Sequence, residues 1–142
     1  MKETLLTVLE NTRLADGIYR LRLAGDTSAI TAPGQFVNLK LSGFFLRRPI
    51  SVCDWENGEV TLIYKVLGHG TEAMTGMAVG TALDVLTGLG NGFDLSRSGE
   101  HPLLVGGGVG IPPLYGLARR LTAQGKRVTA VLGFNRKSEI FL

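Results

Sequence analysis

Apolar and polar residues alternate through much of the first part of the chain. Thr4 to Glu10 is an apolar-rich run with β-branched residues and predicts a first strand. Asn11 to Gly17 is polar, ends in Asp16-Gly17 and predicts a turn. From Gly17 to Leu23, Tyr19, Leu21 and Leu23 share one face and Arg20 and Arg22 the other, the pattern of a half-buried antiparallel strand. Thr31 to Gly34 is a turn. Phe36 to Leu41 alternates again, with Val37, Leu39 and Leu41 inward. Leu46 to Asp54 and Glu59 to Leu67 flank Glu56-Asn57-Gly58, and Asn-Gly between apolar runs is a strong hairpin signal. Residues 69–78 predict a short helix with Thr71 as its cap. Thr81 to Thr87 is a further strand, and Gly88 to Phe93 a glycine-rich turn. Short strands at this spacing predict a small closed antiparallel β-barrel over residues 1–97.

The pattern changes near Ser98-Gly99-Glu100. Pro102 to Val105 and Arg127 to Leu132 read as buried strands. Between them Leu114, Leu117, Ala118 and Leu121 repeat at helical spacing, with Pro112 and Pro113 in the first turn and Gly125 just past the end. This is a β-α-β unit over residues 98–142, the opening of a parallel sheet. Ser138 to Leu142 reads as the start of a next helix. The whole is a β-barrel followed by a partial α/β unit, and a doubly wound lobe needs more strands than this.

Composition narrows the class. A net charge of +3 with no long run of lysine or arginine gives no nucleic-acid footprint, although the positive field suits a phosphate-bearing ligand. The single cysteine, Cys53, excludes an intrachain disulfide framework and any cluster held by four cysteines of this chain. No apolar run reaches membrane-spanning length, and Met1-Lys2-Glu3 leads into an alternating strand, so a cytoplasmic protein is expected.

Candidate chemistry gathers in two places. Arg48 offers a charged fork that matches a diphosphate, and Pro49 interrupts strand pairing so that a flat ring can approach the backbone. The Ser51 hydroxyl can bond a ring nitrogen, and Gly70 and Thr71 sit where a helix start presents free N–H groups. Taken alone, a surface arginine, an edge proline and a helix cap account better for these residues. The second place is Val105-Gly106-Gly107-Gly108-Val109-Gly110, before the predicted helix. G-x-G-x-x-G fails there, because Ile111 and Pro113 stand where its third glycine would fall. A glycine turn that packs helix on strand explains that loop equally well. Cys53, Met74 and Met77 read as core, Trp55 as hairpin packing, and His69, Arg119 and Arg120 as solvated. No Ser-His-Asp set, paired catalytic carboxylates or zinc spacing stands out.

The order of these motifs adds a resemblance. Arg48 to Ser51, Ile63-Tyr64-Lys65, Gly70-Thr71, Gly88 to Phe93 and Gly106 to Pro112 follow one another as they do in ferredoxin-reductase-like flavoproteins. Within that superfamily the chain resembles the electron-transfer subunit of dihydroorotate dehydrogenase B over essentially all its residues. Ile50, where many wider relatives carry an aromatic residue, favours this branch. The resemblance implies an FAD-binding barrel and a lobe that binds NAD(H). Arg48, Pro49, Ile50 and Ser51 would contact the flavin and its diphosphate, Ser51 near the reactive ring edge. Ile63, Tyr64 and Lys65 would lie along the ribityl-diphosphate and adenosine side, with Tyr64 touching adenosine. Gly70 and Thr71 would bind the diphosphate, and Gly106, Gly107, Gly108 and Gly110 would approach the nicotinamide nucleotide.

The family's [2Fe–2S] cluster has no cysteines here to hold it. The resemblance therefore implies a C-terminally truncated chain with an incomplete NADH site. Its partner would be the catalytic subunit that oxidises dihydroorotate to orotate in pyrimidine biosynthesis. Two other readings stay open: an interaction or assembly module that has lost flavin, and a reductase subunit of another iron–sulfur complex.

Overall fold

The computed structural model describes residues 1–142. Six strands close a barrel: β1 (Lys2–Ala15), β2 (Ile18–Ala24), β3 (Phe36–Leu39), β4 (Arg48–Glu56), β5 (Glu59–Lys65) and β6 (Ala82–Leu89). Their order is β1-β2-β5-β4-β3-β6 and every pairing is antiparallel. The inward positions of the alternating runs fill it, with Leu21, Leu23, Val37, Leu39 and Leu62 fully buried in one cluster. Asn57 and Gly58 take φ of 50° and 80°, the left-handed pair that a tight hairpin between β4 and β5 requires.

β1 runs further than its sequence pattern indicates. The polar stretch read as a turn from Asn11 continues as strand to Ala15, with register shifts between Val8 and Glu10 and between Arg13 and Ala15. Its polar side chains have partners, which is why they do not end it. Glu10 accepts from Arg20 at 2.8 Å and from Arg22 at 3.2 Å on the neighbouring strand. The Asn11 amide donates to the carbonyls of Met74 and Met77 at 2.8 and 3.2 Å. Those carbonyls lie at the end of α1 (His69–Met74) and in the turns that follow. The helix is thus shorter than the span predicted for it, and Met74 anchors it in the barrel core.

After the barrel come β7 (Leu103–Gly107), α2 (Pro112–Ala123) and β8 (Thr129–Gly133). The two strands pair in parallel. Helix α2 ends as its sequence predicts. Gly125, at φ 82°, donates to the Thr122 carbonyl, and Lys126 donates to that of Leu121, a paired closure of the last turn. The strands are less buried than expected. Leu104 packs with Leu117 and Leu121 under α2, whereas Leu103, Val105 and Val131 are 62%, 68% and 53% exposed. A two-stranded sheet covered by one helix buries one face only. Leu95 joins the Leu104 cluster from the barrel side of residue 97. The segment expected to open a further helix forms a single 3₁₀ turn at Lys137–Glu139 and then extends. There Phe141 packs against Ile18, Cys53 and Ile63 on the outside of the barrel.

The lobe is fastened to the barrel through α2 and β4. Arg119 and Arg120, read as solvated, are not free. Arg119 pairs with Asp54 and, at 3.3 Å, with Glu56. Arg120 pairs with Asp54 at 3.3 Å and lies over the Trp55 ring, 3.6 Å from its centroid. Gly116 permits the approach, since a Cβ there would stand 2.7 Å from the Cys53 carbonyl oxygen. Helix propensity alone predicts a gain of about 1 kcal/mol for Gly116→Ala. Overpacking against a fixed backbone costs about 1–3 kcal/mol and outweighs it. The variant is therefore expected to unfold at lower denaturant concentration than the parent, and a higher midpoint would remove this account of the interface.

Candidate functional site

The site begins with a strand that loses one neighbour. Arg48 to Ser51 pair with Leu39 to Phe36 of β3. On the other side β4 meets β5 only from Val52, opposite Leu62, with a register shift before Asp54. Ile63, Tyr64 and Lys65 pair with β2 and with nothing on the β4 side. Pro49 has no N–H to bridge that gap. The strands splay there, and a cavity of about 230 Å³ lies between them.

Seven of the nine residues expected around a flavin line this cavity. Pro49, Ile50 and Ser51 form one wall, Ile63, Tyr64 and Lys65 the other, and Thr71 stands at the end. Ile50 also rests on the barrel core and gives the cavity an apolar floor. The Tyr64 ring departs from expectation. It is 1% exposed, stacks on Tyr19 with centroids 5.6 Å apart, and its hydroxyl donates to Asn11 Oδ1 at 3.0 Å. Burial raises its pKa above the ordinary phenol value. Its ring is thus a buried core side chain that, through Asn11, helps to seat α1.

The remaining two expected residues, Arg48 and Gly70, lie against each other beside the cavity. The Arg48 guanidinium stands 5.1 Å from the Phe44 ring centroid and donates to the Leu46 carbonyl. It forms no ion pair, so its charge is uncompensated within the chain. A Cβ on Gly70 would fall 2.1 Å from Arg48 Nε. A side chain at 70 would push the guanidinium from this position. Thr71 is not the helix cap. Gly68 takes that position with no side-chain bond, while the Thr71 hydroxyl accepts from the Leu67 N–H at 2.7 Å and donates to the Gly68 carbonyl. It fixes the turn that leads from β5 into α1.

The glycine loop divides in its roles. Gly106 and Gly107 end β7, and Gly108 to Gly110 form a 3₁₀ turn before α2. A Cβ on Gly106 would meet Leu114 at 2.6 Å, so this glycine serves helix packing. Side chains at Gly107, Gly108 or Gly110 would meet open space. Between them Val109 reaches back to line the cavity. A second cavity of about 550 Å³ opens at the carboxyl ends of β7 and β8, lined by Gly107, Gly108, Gly133, Phe134 and Asn135 from the lobe and by Ile18 and Leu67 from the barrel. Lys65, Leu67 and Val109 border both spaces. The crevice beyond the carboxyl ends of parallel strands is where α/β sheets take ligands.

Sequence reasoning missed Leu67, Val109, Asn11 and Glu139. Leu67 and Val109 are ordinary apolar residues whose place depends on tertiary contact. Asn11 of β1 accepts from the buried hydroxyl of Tyr64 on β5, a pairing between strands that no local pattern signals. Cys53 is buried as expected, and burial, with the Asp54 charge beside it, pushes the thiol up to about 12.

No family model matches the chain. It is 45% identical over 149 aligned positions to the dihydroorotate dehydrogenase B (NAD(+)) electron transfer subunit of Bacillus pumilus, covering 99% of this chain and 58% of the relative. The corresponding subunit of Listeria innocua is 40% identical over 147 aligned positions, with the same coverage. The chain thus spans 58% of the length of these curated relatives. Among solved structures, an NADH-dependent reduced ferredoxin-NADP oxidoreductase is 31% identical with a TM-score of 0.87, over 98% of this chain and 51% of that one. A cytochrome P450 reductase of Amycolatopsis is 25% identical with a TM-score of 0.88, over 99% and 45%. Phthalate dioxygenase reductase, at 22% identity and a TM-score of 0.84 over 98% and 46%, shares the fold. By sequence the chain is similar over 99% of its length to the dihydroorotate dehydrogenase B electron transfer subunits, and by structure it has the ferredoxin-reductase-like fold, a closed barrel followed by a β-α-β unit.

Proposed function

We propose that this chain is a flavin-binding electron-transfer module of dihydroorotate dehydrogenase B. Residues 1–97 hold FAD, and residues 98–142 begin the lobe that takes NAD(H). Electrons pass to a partner catalytic subunit that oxidises dihydroorotate in pyrimidine biosynthesis. The observation that carries the reading is the splayed end of β4 and β5, where the residues expected around a flavin line one cavity.

The residues present fit the group. The cavity has an apolar floor at Ile50 for a flat ring, and Ser51 brings a hydroxyl that bonds no other group of the chain. Arg48 supplies an uncompensated guanidinium beside it, seated in the space that Gly70 leaves. A bidentate guanidinium suits a diphosphate. Lys65 and the turn fixed by Thr71 continue the polar side. Flavin, when bound, supplies the step amino-acid side chains lack, accepting a hydride and releasing electrons singly. The protein's part is to hold the ring between β4 and β5, to set the diphosphate on Arg48 and Lys65, and to turn Val109 and the open side of Gly107 and Gly108 toward it. The helices of the chain include none long and apolar enough to cross a membrane.

The chain incubated with FAD and passed through gel filtration is expected to keep a flavin absorption spectrum. A folded protein that emerges colourless would favour the interaction-module reading instead. Arg48→Ala is expected to weaken FAD binding by about tenfold or more, the size of one charge-assisted hydrogen bond. Unchanged affinity would remove Arg48 from the diphosphate site. Gly70→Ala is expected to lower FAD affinity, by less than Arg48→Ala does, because the added methyl pushes the guanidinium from its seat without removing its charge. In an Arg48→Ala background the same methyl has nothing to displace, so a Gly70→Ala loss as large there as in the parent would refute this coupling.

A further inference from the structure

Lys65 stands where the two cavities meet and lines both. Its ion-pair partner is Glu139, 3.3 Å from Nζ. Neither side chain is a freely solvated surface charge, at 29% and 17% exposure. The turn that carries Glu139 is fastened on both sides. The Asp16 N–H donates to the Ser138 carbonyl at 3.0 Å, and Phe141 packs against Ile18 and Ile63. The carboxylate is therefore held at β5 by the fold and not by the ion pair alone.

A lysine ammonium is a compact point charge on a flexible stem. Shared between a carboxylate and a phosphate, it serves each less well than it would alone. We propose that Glu139 is an affinity-setting residue: it competes with the phosphate groups of the flavin for Lys65, and so weakens the grip of the first cavity on its ligand. The inference rests on the reading above that this cavity takes the phosphate side of FAD. It assigns a role in ligand binding to a residue contributed by the lobe, at a place where the barrel alone would leave Lys65 unopposed.

The test compares FAD dissociation constants, read from flavin fluorescence, for the 142-residue chain, Glu139→Gln, Lys65→Gln and the double variant. Riboflavin, which lacks phosphate, serves as the second probe. Glu139→Gln is expected to tighten FAD binding by about three- to fivefold, the size of one partly exposed ion pair. In the Lys65→Gln background the same change is expected to do nothing, and with riboflavin it is expected to do nothing. Glu139→Asp, which keeps the charge and shortens the reach, is expected to tighten FAD binding less, and it provides the measurement if Glu139→Gln does not fold. Unchanged or weaker FAD binding in the Glu139 variants overturns the proposal, as does a gain that survives Lys65→Gln or appears equally with riboflavin. A parent chain that binds no FAD overturns the flavin reading and this inference with it, whereas a parent that binds FAD while the Glu139 variants match it overturns this inference alone.

Discussion

A strand inside a closed barrel has two neighbours, and β4 keeps both only from Val52 onward. Everything proposed for the site depends on that partial loss of pairing. Closure gives the barrel its dry core and leaves no long edge open to another chain. One break in the ladder then opens a space inside an otherwise rigid wall. The opening is cheap where it falls. Pro49 has no donor to leave unsatisfied, and the β3 side of the same residues remains paired. Rigidity on one side and vacancy on the other are what a binding site needs when it must hold a flat ring without reorganising.

The same strand carries the second half of the architecture. Its first residues line the cavity, while Cys53 to Glu56 receive α2 through Gly116, Arg119 and Arg120. Helix α2 begins directly after the glycine turn that sends Val109 into the cavity. The position of that turn is thus set by contacts made further along the helix. Asp54, at 15% exposure, is the carboxylate that Arg119 and Arg120 share across this contact, and its loss would leave both without it.

Most of the barrel was legible in the sequence because period-two alternation and the Asn57-Gly58 hairpin are local signals. The inward positions Val37, Leu39 and Leu41 are buried as the alternation requires. What escaped was decided between segments. The polar stretch after Glu10 reads as a turn until the end of α1 provides partners for Asn11. Arg119 and Arg120 look solvated on a helical wheel, and only the approach of β4 shows otherwise. At the site, the order of motifs located the cavity-lining residues. It did not distinguish an exposed side chain from one turned into the core. Tyr64 is the clearest case, since β5 alternation turns its ring inward while its neighbours Ile63 and Lys65 face out.

The burial of Cys53 has a kinetic side. It is the only thiol of the chain, it is 4% exposed, and its carbonyl lies under Gly116 at the centre of the contact between lobe and barrel. A buried thiol held as S–H does not react with an alkylating reagent, because only an exposed thiolate does. Its modification must wait for the lobe to lift away or for the surrounding structure to open. The chain therefore carries its own clock for such motions, and the rate at which this single sulfur is consumed measures how often the structure around it opens.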